Sequence, residues 1–361
     1  MKIKLFLGPY PPPVNGHSMA FKTIVDNFHD DKLMINQNFS RVNLFNKLLG
    51  SLRCIIIYIY YSLSKDINTV YCAGSRSLLG GFKDVIAIHI FSRKNVRILL
   101  HIHASNFDKY LDDIPSILKQ FYISAYKKVD LFILLLEEMK SEYEKYFTGY
   151  NMLTIPNSYD NSLDVLPINL SSKNNNIIRL LYLSNIIYSK GIIDLLKAFS
   201  FIEKEFDNVK LEIAGDFSGD KFYSKKEIEI LFNHEIRGLK NIYFHGPVFG
   251  NDKIMLLNSS DIFVLPSFYT SEAMPISIIE AMRAGNAIIS THHHYLDKIV
   301  GEKNGKCVEV KNHKQVYDAI KYYIINSNEL RSVQQFNINY SIINFNQDKY
   351  ISSLTKVIKN D

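Results

Sequence analysis

Short apolar runs alternate along the chain with longer stretches whose apolar residues recur every third or fourth position. In the first half the runs are Ile3–Leu7, Leu33–Phe39, Thr69–Ala73, Val96–His103, Leu131–Leu136 and Met152–Ile155. Stretches of helical period lie between them, among them Ser18–Phe28, Phe45–Ser64 and Ile114–Lys128. Near-continuous apolar strands separated by helices predict parallel strands covered on both faces, a doubly wound sheet.

Pro156-Asn157-Ser158 ends that series, and a segment rich in Asn, Ser and Asp follows. The alternation then restarts, with strands expected at Ile177–Leu183, Lys210–Ala214, Ile242–His245, Ile262–Leu265 and Ala287–Ser290. The helices expected between them are Gly191–Phe206, Lys225–Arg237, Asp252–Ser259 and Ile276–Ala284. The chain therefore divides into a first α/β domain over residues 1–160, a linker over 161–176 and a second α/β domain over 177–340. Two Rossmann-like domains facing a cleft are expected, with a last helix in 341–361 crossing back to the first.

Leu48–Leu63 reads apolar almost all round, too short to span a bilayer and interrupted by Arg53. The preferred reading is a helix buried between the sheet and a neighbour. The alternative, supported by Arg41, Lys47 and Lys65 nearby, is a helix lying at a membrane interface.

Composition narrows the classes. With 361 residues, 47% apolar and 22% charged, the chain is globular and long enough for two cores. Cys54, Cys72 and Cys307 are odd in number and far apart, which disfavours a disulfide framework or zinc site. The start, Met1-Lys2-Ile3-Lys4-Leu5-Phe6-Leu7-Gly8, reads as a first buried strand rather than a signal peptide, so a cytoplasmic protein is expected. The net charge of +6 is uneven: residues 1–160 carry 19 basic against 14 acidic side chains. A basic first domain suits an anionic surface such as lipid head groups or a pyrophosphate-linked acceptor; nucleic acid is not expected.

The densest chemistry lies in Ser267-Phe268-Tyr269-Thr270-Ser271-Glu272-Ala273-Met274-Pro275-Ile276-Ser277-Ile278-Ile279-Glu280-Ala281-Met282-Arg283-Ala284-Gly285. Glu272 falls in the loop after a strand, where open α/β sheets bind ligands. Pro275 suits a helix start, and the amides that follow form an anion site for a diphosphate. Glu280 lies within that helix, where a carboxylate can accept two ribose hydroxyls; Gly285 ends it.

This stretch resembles the E-x7-E motif of retaining GT-B glycosyltransferases of family 4, the group 1 glycosyl transferases. The resemblance implies that Glu272 contacts the transferred sugar and Glu280 the ribose, with Met274, Pro275, Ile276 and Ser277 on the donor. Ser184-Asn185-Ile186-Ile187-Tyr188-Ser189-Lys190-Gly191 is similar to that family's G-R-x4-K-G segment, where Arg and Lys neutralise the donor diphosphate. Lys190 matches the Lys. Asn185 stands in place of the Arg, which removes a fixed charge and its bidentate fork and implies another cation instead. Val248, in the loop after Ile242–His245, is assigned to the donor by the same likeness. Pro9-Tyr10-Pro11-Pro12-Pro13-Val14-Asn15-Gly16-His17-Ser18 occupies the place of the family's Gly-rich loop, which puts Asn15 and Gly16 near donor and acceptor; Ser18 is the expected helix cap. Alternation puts His101 and His103 on one strand face, and the resemblance selects His103 as the histidine near the donor sugar.

His292-His293-His294 is not expected to bind metal, because consecutive residues do not converge on one ion. No D-x-D occurs, so no metal cofactor is expected and the nucleotide-sugar serves as co-substrate. The implied reaction is transfer, with retention, from a nucleotide-sugar to a saccharide acceptor, preferably lipid-linked and used for surface polysaccharide, at the cytoplasmic face of the inner membrane. Rival readings are a nucleotide-sugar epimerase or phosphorylase, a non-catalytic donor-binding subunit, and a dehydrogenase, the last disfavoured by the lack of G-x-G-x-x-G after the first strand.

Overall fold

A computed structural model describes residues 2–38, 44–165, 170 and 176–359. The chain forms two compact units, one of Met1–Asn157 with Asp348–Asp361, the other of Ser158–Gln347. Most of the segment expected as a linker, and the end of the expected strand Leu33–Phe39, lie outside the described residues.

The first unit is built on strands β1 Ile3–Gly8, β2 Lys32–Asn36, β3 Ile67–Gly74, β4 Arg97–Ile102, β5 Leu131–Leu134 and β6 Met152–Thr154. They form one parallel sheet in the order β2-β1-β3-β4-β5-β6. The helices are α1 Gly16–Asn27, α2 Leu44–Ser64, α3 Leu78–Phe91, α4 Phe107–Asp113, α5 Ser116–Tyr126 and α6 Lys140–Glu144. The helix expected over Ile114–Lys128 is shorter and has a separate predecessor. Pro115 forces Ile114 into extended backbone (φ −97°, ψ 152°), so α4 stops before it and α5 starts after it.

The segment Leu48–Leu63 corrects the preferred expectation. It lies within α2, which buries one side only, through Cys54 and Tyr58. The Tyr58 hydroxyl accepts a hydrogen bond from Gln37 Nε2 at 2.8 Å, and its ring lies 6.5 Å from Phe91 of α3. The other side exposes Phe45, Leu48, Leu49, Leu52, Ile56, Ile59, Tyr60 and Leu63.

The second unit repeats the plan with β7 Ile178–Leu183, β8 Val209–Ala214, β9 Ile242–Phe244, β10 Ile262–Val264, β11 Ala287–Thr291 and β12 Gly305–Val308. These strands are parallel in the order β12-β11-β10-β7-β8-β9. Its helices are α7 Ile192–Glu205, α8 Lys225–Glu235, α9 Gly250–Ser259, α10 Ile276–Arg283, α11 Leu296–Ile299, α12 His313–Ile325 and α13 Ser327–Asn344. The last helix, α14 Gln347–Lys359, contributes Tyr350, Leu354 and Ile358 to the first unit's core, against Phe6, Phe21, Phe28 and Leu99. Both sheets are thus doubly wound and parallel, the fold class the alternation of apolar runs predicts.

Candidate active site

In the second unit β7 and β10 are neighbours, with Ile262 beside Leu180 and Phe263 beside Leu181. The loops leaving their C-terminal ends are therefore adjacent, and residues 82 apart in sequence meet: Lys190 Nζ donates to Glu272 Oε2 at 2.5 Å. Ser267 Oγ donates to the same oxygen at 2.8 Å. The two loops are tied by the Phe268 amide, which donates to the Ser189 carbonyl at 2.7 Å. Asp220 fixes Ser189 in turn, accepting from its amide at 2.9 Å and its hydroxyl at 2.6 Å. Tyr269 lies beneath the Lys190 ammonium, 4.9 Å to the ring centre. Glu272 is buried and Lys190 partly so, which keeps this ion pair from the screening that an exposed pair suffers.

Gly191 closes the loop with φ +79°, and a Cβ there would stand 2.0 Å from the Pro266 carbonyl oxygen. Only glycine fits.

Pro275 caps α10 (φ −61°), and Gly285 follows its end in the left-handed region (φ +69°). Ile276 and Ser277 carry the first amides of the helix, the end that favours an anion; Met274 before them is buried. Glu280 is buried on the same helix and receives Lys253 Nζ of α9 at 2.7 Å. Burial raises its carboxyl above the usual glutamate range; Lys253 opposes the rise and Asp160 adds to it. Each of the two motif glutamates therefore has its own lysine. Val248 is half-buried, while Asn185 is exposed and its carbonyl accepts from Tyr182 Oη at 3.1 Å.

Lys253, Ser267's grip on Glu272, and Asp220 were not singled out in the sequence. Ser267 stood in the quoted motif as a spectator. Lys253 follows no spacing that distinguishes it from a solvated helix lysine.

The first unit gathers a different set. Asn15, not Ser18, is the N-cap of α1, which corrects the expected cap by one turn: Asn15 Oδ1 accepts from the Ser18 amide at 2.9 Å. Ser18 Oγ answers by accepting from the Asn15 amide at 3.0 Å, and Gly16 opens the helix. The next residue, His17, places its ring 4.8 Å from that of His103, which lies 4.1 Å from His101. His101 Nδ1 is hydrogen-bonded to Tyr71 Oη at 2.6 Å. Burial depresses all three imidazoles: His17 to about 4, His101 to about 3, and His103 well below its ordinary value. Neighbouring imidazoles reinforce the shift at His101 and His103, and Asn157 opposes it at His103. In the same unit burial raises Asp84 to about 7, against the Ser75 amide and Lys83.

These shifts fix a sign. Unfolded histidine titrates near 6.5, so the three neutral imidazoles contribute stability above that pH and lose it as pH falls toward their folded values. Asp84 works oppositely, gaining as pH falls through about 7, but it is one group against three. Acidification from pH 7 to 5 is expected to lower the melting temperature, and His103→Gln should flatten the slope by about one proton's worth, ~1.4 kcal/mol per pH unit. An unchanged slope would remove the imidazoles from the account.

The rings of His293 and His294 lie 4.0 Å apart, while the backbone and side-chain partners of the three histidines differ. The His292 amide donates to the Val308 carbonyl at 2.9 Å, His293 Nε2 faces the Tyr269 carbonyl at 3.0 Å, and His294 adopts φ +50°. Among the described residues no group of three His, Cys, Asp or Glu side chains is placed to hold a metal ion.

Comparison with known proteins agrees with the second unit's arrangement. The family model for glycosyl transferases group 1 matches residues 168–339. An uncharacterized glycosyltransferase of Methanocaldococcus jannaschii is 24% identical over 276 residues, 72% of this chain and 68% of that protein. Alpha-monoglucosyldiacylglycerol synthase of Streptococcus pneumoniae is 32% identical over 124 residues, 34% of this chain and 26% of that protein. The crystal structure of Anabaena HepE in complex with UDP superposes with a TM-score of 0.77 over the whole of both chains, at 15% identity. The matched residues 168–339 hold Lys190, Glu272 and Glu280.

Proposed function

We propose that this protein transfers a sugar, with retention of anomeric configuration and without a metal ion, from a nucleoside-diphosphate sugar to a saccharide acceptor, acting in the cytoplasm. The observation that supports this most is the pair of contacts that Lys190 and Lys253 make with the buried Glu272 and Glu280, one before α10 and one within it. An incoming donor offers each member a better partner. The diphosphate takes Lys190 and the amides at Ile276 and Ser277; the sugar hydroxyls take Glu272; the ribose hydroxyls take Glu280. Asn15, Gly16, Asn185, Val248 and Met274 are further donor contacts in this reading, and His103 orients the sugar.

In the reaction the bond from C1 to the phosphate oxygen breaks with both electrons passing to the diphosphate. Lys190 and the helix amides stabilise the charge that builds there. An acceptor hydroxyl bonds to C1 on the face just vacated, and its proton passes to the leaving phosphate oxygen. Lys253 supplies a second cation in a site where Asn185 gives none. The acceptor in this reading is lipid-linked and belongs to surface polysaccharide assembly, consistent with the lipid-directed name of one relative.

A thermal-shift screen with UDP-, GDP- and ADP-sugars tests the donor. One of them is expected to raise the melting temperature, by about 2.7 kcal/mol of added stability at 100 times its dissociation constant. No shift with any of the three, at concentrations where a control transferase responds, counts against the proposal. Transfer is expected to survive EDTA undiminished, and loss that Mg²⁺ or Mn²⁺ restores would overturn the metal-independent part.

A further inference from the structure

The exposed side of α2 is unlike any ordinary helix surface. Leu48, Leu52, Ile56, Ile59 and Leu63 recur at three- and four-residue steps, so they lie in one row along a 21-residue helix, about 31 Å long. The row is not incidental exposure: Leu52 is 54%, Ile56 58% and Leu63 72% exposed, and the opposite side is the one packed through Cys54 and Tyr58. A stripe of this extent in water marks an interaction surface.

Its charge indicates the occupant. From Ser40 to Lys65 the sequence holds Arg41, Lys47, Arg53 and Lys65 and not one carboxylate. Arg53 is exposed at the flank of the apolar row. At the helix's C-terminal end Leu63, Lys65 and Lys94 border a common depression that also takes in Asp66. An apolar row edged by cations and free of acids complements an anionic bilayer surface. Among the described residues no helix is long and apolar enough to cross a membrane, so α2 on a bilayer would lie in its surface plane. A second copy of the chain fits less well. A two-fold antiparallel pairing of α2 would bring the two Arg53 side chains together near the helix midpoint, with no carboxylate on the helix to answer them.

We propose that the exposed face of α2 docks on anionic phospholipid membranes, its apolar row entering the head-group boundary and Arg53 and Lys65 meeting lipid phosphates. The surface belongs to the first unit and does not rest on the donor-binding reading.

The test is flotation of the full chain with vesicles of phosphatidylcholine and phosphatidylglycerol, compared with phosphatidylcholine alone. The wild type is expected to float with the anionic vesicles, less with the neutral ones, and to be a monomer by light scattering without lipid. Leu52→Glu with Ile56→Glu is expected to reduce vesicle-bound protein at least about tenfold, because it places two charges where apolar groups must enter. The pair Leu48→Ser with Leu63→Ser should reduce it as well. All four positions are exposed, so circular dichroism and melting temperature should match wild type; the serine pair carries the test if the glutamates disturb the fold. A wild type that stays out of the vesicle fraction overturns the proposal, as does equal flotation of folded variants. So does a lipid-free oligomer that these substitutions dissociate, which would make the face a self-interface.

Discussion

Lys190→Ala is expected to lower kcat/KM by about 10²–10³-fold, some 3–4 kcal/mol of transition-state stabilisation. Two losses combine. The ammonium proposed to meet the leaving diphosphate disappears, and Glu272, which also accepts from Ser267 Oγ at 2.8 Å, loses its charged partner. The second loss separates this substitution from a generic charge deletion. Lys190→Arg retains the charge but replaces a compact ammonium above Tyr269 with a planar fork, so it should recover only part of the rate. Since the interaction with the diphosphate strengthens as charge develops, kcat should fall more than donor affinity. Steady-state kinetics with donor varied, on variants whose melting temperature matches wild type, decide it; kcat/KM within threefold of wild type would remove Lys190 from the mechanism.

Gly191→Ala should be strongly disruptive in the second unit. Its Cβ would stand 2.0 Å from the Pro266 carbonyl oxygen, and the left-handed backbone at φ +79° disfavours alanine by about 1–2 kcal/mol even with space available. The neighbour is backbone at the end of β10 and gives way only by moving the strand end. A cost of about 3 kcal/mol or more is expected, read by urea unfolding. Pro266 directly precedes Ser267, so the displacement should reach Glu272 and reduce activity in molecules that remain folded. Unaltered stability would show that the two loops are less tightly joined than the Phe268–Ser189 hydrogen bond suggests.

Most strands were legible because a parallel strand buried on both faces is apolar throughout, whatever its neighbours. The stretch between Ala287–Ser290 and the last helix was not legible, and α13 shows why. Its buried side includes Gln334, Asn337 and Ser341, so an apolar period is largely missing. Those amides serve as backbone partners: Asn337 Nδ2 donates to the carbonyls of Asn286 and Asn304, and Gln334 Nε2 to that of Asp261. A helix packed through hydrogen bonds reads as a polar loop. The exposed row of α2 misled in the opposite direction, since apolar residues on a free surface look in sequence like residues of a core. Within the site, Glu272, Glu280 and Lys190 were legible from their spacing in known motifs. Lys253 was not, because its significance arises only where α9 brings it to Glu280.

The helix α14 sets an order of events during synthesis. Tyr350, Leu354 and Ile358 complete the apolar cluster around Phe6 and Phe21, so a ribosome has passed residue 358 before that cluster can close. The second unit, although translated later, has all its own elements available by residue 347, before α14 is made. A nascent chain halted before residue 347 should therefore carry a protease-resistant second unit behind a first one still open to digestion.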